Sequence, residues 1–221
     1  MQAMTALKTL KIDFVSDIAC PWCAVGLAAL EQAIDRVKDT VVVDVHFQPF
    51  QLNPQMGPDG QDIGEHLAQK YGSSPEQQAQ NYAMIRQRGA ELGFDFREKG
   101  RGRTYNTFDC HRLLHWAEVE YPHLQNALKK SLLKANFSDG LHIGMHDVLV
   151  QAAVAAGLDG ERALEILQSD EFTSDVRERQ SMYTQAGISS VPAIIINEQH
   201  LISGGQPVEV FERALRQIAA T

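Results

Sequence analysis

A chain of 221 residues with 44% hydrophobic and 22% charged side chains can bury a sizeable core without disulfide staples. Its net charge of −8, with no basic face to offset it, argues against a nucleic-acid or anionic-membrane binder. No apolar run approaches membrane-spanning length, and three cysteines are an odd count, a poor start for a disulfide framework.

Met1 to Leu10 lacks the apolar core of a secretory leader, so the chain reads as complete and cytoplasmic. A mature periplasmic form given a new start codon is the alternative. In a reducing cytoplasm a vicinal cysteine pair points to catalysis, redox sensing or metal binding. Residues 8–15 alternate loosely and read as a first strand. Directly after it comes Cys20-Pro21-Trp22-Cys23. A helical pattern follows over Val25 to Val37, with Leu27, Leu30, Ile34 and Val37 at helical spacing.

Two cysteines three apart at a helix start lie close enough to bridge. Cys20 there meets free backbone N–H groups and the positive end of the helix dipole, which favour a thiolate, the attacking form of cysteine. Cys20 reads as the solvent-facing nucleophile. Cys23, one turn inside, reads as the buried resolving thiol. Pro21 and Trp22 fix the turn and offer substrate an apolar contact. No histidine stands between the cysteines, so a weaker oxidant than a Cys-Pro-His-Cys pair is expected. Asp13 and Asp17 lie close by in sequence and one of them could accept the Cys23 proton. Asp13 is the better candidate, because burial on a central strand would raise its pKa, and a solvent-facing acid is the plainer reading.

Val41 to Phe47 is dense in β-branched residues and reads as a second strand, parallel to the first through a right-handed crossover. Gln48 to Gly60 reads as a loop. Residues 62–91, 107–119, 124–137, 146–156 and 161–183 read as helices, the first broken at Gly72-Ser73-Ser74-Pro75. Ser74 fits an N-cap with Pro75 at the first helical position. Lys99-Gly100-Arg101-Gly102-Arg103 is a small basic loop that could meet an acidic partner or the carboxylates of glutathione; a solvated loop is the plainer reading. Strands return at 193–197 and 200–203, joined tightly at Asn197-Glu198-Gln199, and a last amphipathic helix runs from Pro207 through Ile218.

The order β-α-β, then helices, then β-β-α sets residues 1–60 and 184–221 as one discontinuous α/β domain and 61–183 as an inserted helical subdomain. Cys110 reads as a small core residue. His111 with His115, and His142 with His146, are spaced four apart. With no second Cys-x-x-Cys, the pattern does not call for a metal.

The dithiol joins Phe50-Gln51-Leu52-Asn53-Pro54, Asn106-Thr107-Phe108-Asp109-Cys110-His111-Arg112-Leu113, Gly187-Ile188-Ser189-Ser190-Val191-Pro192 and Ser203-Gly204-Gly205-Gln206-Pro207. Together these stretches resemble the DsbA-like branch of the thioredoxin superfamily, and its FrnE-type subgroup, along nearly the whole chain. The resemblance implies a thioredoxin fold with a helical insert and a protein-disulfide oxidoreductase or isomerase. It implies a cis Val191–Pro192 bond lying against the dithiol, with Val191 beside substrate. It also implies that Asn106, His111 and Arg112 line the contact between insert and core. Cys110 stands where that family has a small residue. No bound cofactor is expected; protein or small thiols and disulfides are the expected substrates, with glutathione as a redox partner. Oligomeric state stays open. Kappa-class glutathione transferases and hydroxychromene-carboxylate isomerases share this layout but keep a single Ser or Cys at the active position, so the pair Cys20 and Cys23 favours the oxidoreductase. A redox switch without turnover is a third reading.

Overall fold

The computed structural model describes residues 7–221. Most of the Met1 to Leu10 stretch read above for a leader lies outside the described residues. Four strands form the central sheet: β1 (Lys8–Ser16), β2 (Val41–Pro49), β5 (Ala193–Ile196) and β6 (His200–Ser203), in the order β2-β1-β5-β6. β1 runs parallel to β2, with Phe14 opposite Phe47, and antiparallel to β5, with Val15 opposite Ala193. The β5–β6 connection is only three residues long: Asn197 and Glu198 both take positive φ, 51° and 59°, and the Gln199 N–H donates to Ile196 O at 3.1 Å to close the turn.

Side chains alternate across β1. Leu10, Ile12 and Phe14 enter the main core with helix α1 (Pro21–Val37) and the C-terminal α9 (Val208–Ala220). Val15 joins Tyr183, Ile188 and Ala193 in a smaller cluster of its own. Burying three or four such side chains on each face is worth about 1.5–3 kcal/mol apiece, which fixes the register of the central strand.

Between β2 and β5 the chain is nearly all helix: α2 (Ile63–Tyr71), α3 (Pro75–Glu91), α4 (Phe108–Glu120), a 3₁₀ turn at Pro122–Leu124, α5 (Gln125–Phe137), α6 (His146–Ala155), α7 (Gly160–Gln168) and α8 (Thr173–Gln185). Ser74 caps α3 reciprocally with Gln77, its Oγ accepting from the Gln77 N–H while Gln77 Oε1 accepts from the Ser74 N–H. Two short strands, β3 (Gln61–Asp62) and β4 (Arg103–Thr104), pair within the segments read as loop and helix start.

The stretch 161–183 is two helices rather than one. Phe172 takes φ 61°, and the last carbonyls of α7 are claimed by a side chain from elsewhere. The buried Arg112 guanidinium donates to Ile166 O, to Ser169 O at 2.7 Å and to Glu171 O at 2.9 Å. A guanidinium has enough donors in a fixed plane to close a helix end in this way. Arg112 therefore holds α4 to the α7–α8 junction inside the insert and does not line the contact with the sheet. Asn106 and His111 do make that contact. Asn106 bridges Gln51 and the Met56 carbonyl, and His111 Nε2 lies 3.5 Å from Asp17 Oδ1. Among the described residues, no helix is long and apolar enough to cross a membrane.

Candidate functional site

After β1 the chain turns through Asp17-Ile18-Ala19 and sets Cys20 as the N-cap of α1, in extended backbone (φ −96°, ψ 111°). Pro21 takes the first helical position, where its missing N–H costs nothing. The Cys23 N–H donates to Cys20 O at 3.1 Å, so both sulfurs share the first turn as free thiols. The segment before β5 brings in Val191 and Pro192 across a cis peptide. Cys20 Sγ–H donates to Val191 O at 3.5 Å, across 171 residues of sequence.

Cys20 is only 4% exposed, which corrects the expectation of a solvent-facing sulfur. Val191 closes over it, and Arg101 from the insert donates to the adjacent Ala19 O at 2.8 Å. The basic loop is thus not wholly solvated. Arg101 also lies over the Phe137 ring, and burial pulls its pKa down to about 10. Trp22 is half-buried, with the Arg88 guanidinium of α3 over its ring at 5.6 Å.

Packing behind the dithiol leaves no slack. A Cβ on Gly26 would stand 3.1 Å from Pro192 Cγ and 3.2 Å from Gly205 Cα, and one on Gly205 would stand 3.0 Å from Trp22 O. Gly26→Ala is therefore expected to shift Pro192 by a few tenths of an ångström and to slow exchange at Cys20 about tenfold. Thermal unfolding should change little, since alanine suits a helix better than glycine. Wild-type rates with Gly26→Ala would show that Pro192 need not sit this close.

The two thiols are driven apart electrostatically. The Cys23 side chain donates to Cys20 Sγ and lowers the Cys20 pKa; burial opposes this, and the backbone N–H groups of Cys23 and Trp22 help. Burial pushes the Cys23 thiol well up, and the neighbouring Cys20 pushes it further. Below them Asp17 is fully buried. Burial would raise its pKa, yet it is held below the usual carboxylate range by His111, by the Leu52 N–H at 2.7 Å and by Thr107. The Ala19 N–H also donates to it, at 3.1 Å.

Asp13 is not part of this site. It accepts from Gln48 Nε2 at 2.9 Å and lies 3.2 Å from Lys11 Nζ. Strand alternation aims it away from the Phe14 face on which Cys23 packs. Cys110 is buried, its Sγ–H 3.6 Å from Ile143 O, and burial pushes its pKa up. The histidine pairs are split up: His115 lies by Glu118, His142 stacks on Tyr105, and His146 lies by Asp109. The described residues contain no group of three or more His, Cys, Asp or Glu arranged to hold a metal ion.

Asp17, the second of the two acids considered from sequence, and Arg101 of the basic loop both lie near the dithiol, whereas the buried Lys129 was not anticipated. Lys129 had a legible signal. It shares helical spacing on α5 with Gln125, Leu132, Leu133 and Asn136, all of them buried.

Residues 11–216 match the DSBA-like thioredoxin domain. The uncharacterised protein YwbO of Bacillus subtilis is 30% identical over 226 residues, covering 94% of this chain and 96% of its own. A Streptomyces coelicolor structure described as a probable DsbA oxidoreductase superposes with a TM-score of 0.86 at 34% identity, over 94% of this chain and 89% of that one. The cytosolic disulfide reductase DsbM of Pseudomonas aeruginosa, solved with GSH, shares the fold at 15% identity, with a TM-score of 0.66 over 96% of this chain and 100% of that one. With its thioredoxin fold, its helical insertion and these relatives, the chain belongs to the DSBA-like thioredoxin domain family and is an oxidoreductase of that family.

Proposed function

We propose that this protein exchanges disulfides through Cys20 and Cys23, as a member of the FrnE-type subgroup. Cys20 is the nucleophile, Cys23 the resolving thiol, and Pro192 the wall against which the reacting sulfurs align. Pro21, Trp22 and Val191 contact the substrate. The observation that carries the reading is the Cys20 sulfur at the N-cap of α1, 3.5 Å from Val191 O beside Pro192, with its pKa lowered by the Cys23 side chain. Cys20 attacks a substrate disulfide, the first substrate sulfur leaves as a thiolate, and Cys23 then displaces the second. The oxidised pair run in reverse donates its disulfide to a substrate dithiol.

Protein thiols and small thiols both suit the site. Arg101 and Arg88, on the insert side of the dithiol, are cations fitted to the carboxylates of glutathione. A reducing compartment is the setting that fits an odd set of free thiols. A glutathione transferase or isomerase needs only one active sulfur or hydroxyl, and nothing in that chemistry uses Cys23.

The test is the pH profile of Cys20 alkylation by iodoacetamide, followed by peptide mass mapping. A Cys20 held below the ordinary thiol range loses less of its rate than a free cysteine does as the pH falls from 8 to 7. A profile that tracks an ordinary cysteine, titrating near ~8.5, would overturn the reading.

A further inference from the structure

Cys23 must lose its proton to resolve the mixed disulfide, yet it sits fully buried with its thiol held in the protonated form. A base has to reach it from inside the protein. Asp17 is poorly suited. Its oxygens already accept the N–H groups of Ala19 and Leu52, and bonds to the charged form weaken its hold on a proton. Asp13 lies on the other face of the sheet. His111 is turned to Asp17.

Lys129 remains. It comes from α5 of the insert, which packs against both α1 and β2. Its side chain is 0% exposed, and Nζ has no hydrogen-bond partner among the described residues. The amine lies 5.8 Å from the centre of the Phe47 ring. The charged or titratable groups around it are Cys23 first, then Asp17, Cys110 and Cys20, with His111 also within its field. A buried amine without a hydrogen bond costs several kcal/mol, so such a group is rare unless a function keeps it.

We propose that Lys129 is the internal base that takes the proton of Cys23 during resolution, an inference that rests on the disulfide-exchange reading above. In the mixed disulfide, Cys20 Sγ is bonded to a substrate sulfur. The Cys23 Sγ–H closes on Lys129 to hydrogen-bond distance and its proton passes to the unprotonated form of the amine, which burial favours, giving a thiolate and an ammonium. The thiolate attacks Cys20 Sγ. The Cys20–substrate bond breaks, the Cys20–Cys23 bond forms, and the substrate leaves as a thiolate that takes a proton from solvent. Across the cycle the dithiol loses two electrons, which the substrate disulfide gains. With the anion gone, burial drives the proton off Lys129, consistent with the lowering of its pKa by desolvation.

Two measurements test this. The first is single-turnover resolution of a mixed disulfide between Cys20 and glutathione. Lys129→Met, a buried apolar replacement of similar length, should be on the order of 100-fold slower than wild type at pH 7 and should recover as the pH rises. Lys129→Arg, which stays protonated, should not restore the rate. Resolution at the wild-type rate in Lys129→Met would overturn the proposal. The second needs no turnover. In a Cys20→Ser background, thiolate absorbance at 240 nm reports the titration of Cys23, and Lys129→Met should move it upward. An unmoved titration would overturn the proposal even if the protein proved to have no exchange activity. A wild type that exchanges disulfides, with no effect of Lys129→Met in either assay, would leave the exchange reading intact and sink this one alone.

Discussion

Cys20→Ser is expected to lower disulfide-exchange turnover by on the order of 1,000-fold or more, while Cys23→Ser keeps the first attack and stops at the mixed disulfide. The asymmetry follows from the geometry. Only Cys20 stands at the helix mouth beside Val191 and Pro192, and only Cys20 has its thiolate favoured by its surroundings. Cys23 lies deeper and is kept protonated. Insulin reduction in the presence of glutathione measures turnover, and mass spectrometry of Cys23→Ser after glutathione disulfide detects the trapped adduct on Cys20. If Cys23→Ser turned over freely, a monothiol mechanism would be the better description. If Cys20→Ser retained activity, the nucleophile would lie elsewhere.

The largest expected effect on stability comes from a residue far from the sulfurs. Arg112→Ala should lower the unfolding free energy by about 3–5 kcal/mol. The truncation strands the carbonyls of Ile166, Ser169 and Glu171 and leaves Asp109 without the donor that sits 2.9 Å from it. Arg112→Lys should recover only part of the loss, since one ammonium cannot span that set of acceptors in the plane of a guanidinium. Urea titration followed by circular dichroism reads the difference. A loss below about 1 kcal/mol would mean that solvent replaces the guanidinium at the α7–α8 junction.

Much of this architecture is readable from the chain. The β-branched runs at Val41–Phe47 and at the three isoleucines before Asn197 could hardly be anything but strands, and a proline directly after Cys20, between the two cysteines, marks a helix start. Ser74 and Pro75 announce α3 for the same local reason. What escapes notice depends on contacts between distant segments. β3 and β4 are two residues each, too short to show a period. The break between α7 and α8 is held by Arg112, some 55 residues upstream, so the local sequence 161–183 still looks like one helix. Asp13 looked the better acid because a central strand promised burial. It is buried, but alternation sends it to the wrong face. Lys129 lies on the stripe of α5 that also carries the buried Gln125, Leu132 and Asn136, but a polar side chain on a core stripe is visible as such only once the stripe is known to face inward.

The placement of β5 beside β1 has a consequence for biosynthesis. Val15 and Ala193 are neighbours in the sheet, yet a ribosome delivers them far apart in time. A nascent chain exposes Cys20 and Cys23 long before the segment that walls them in has been made. During that interval the sulfurs are two ordinary thiols on an unfinished sheet, open to any passing oxidant. The enzyme's selectivity is therefore acquired late, when Ala193–Ile196 pair with the first strand.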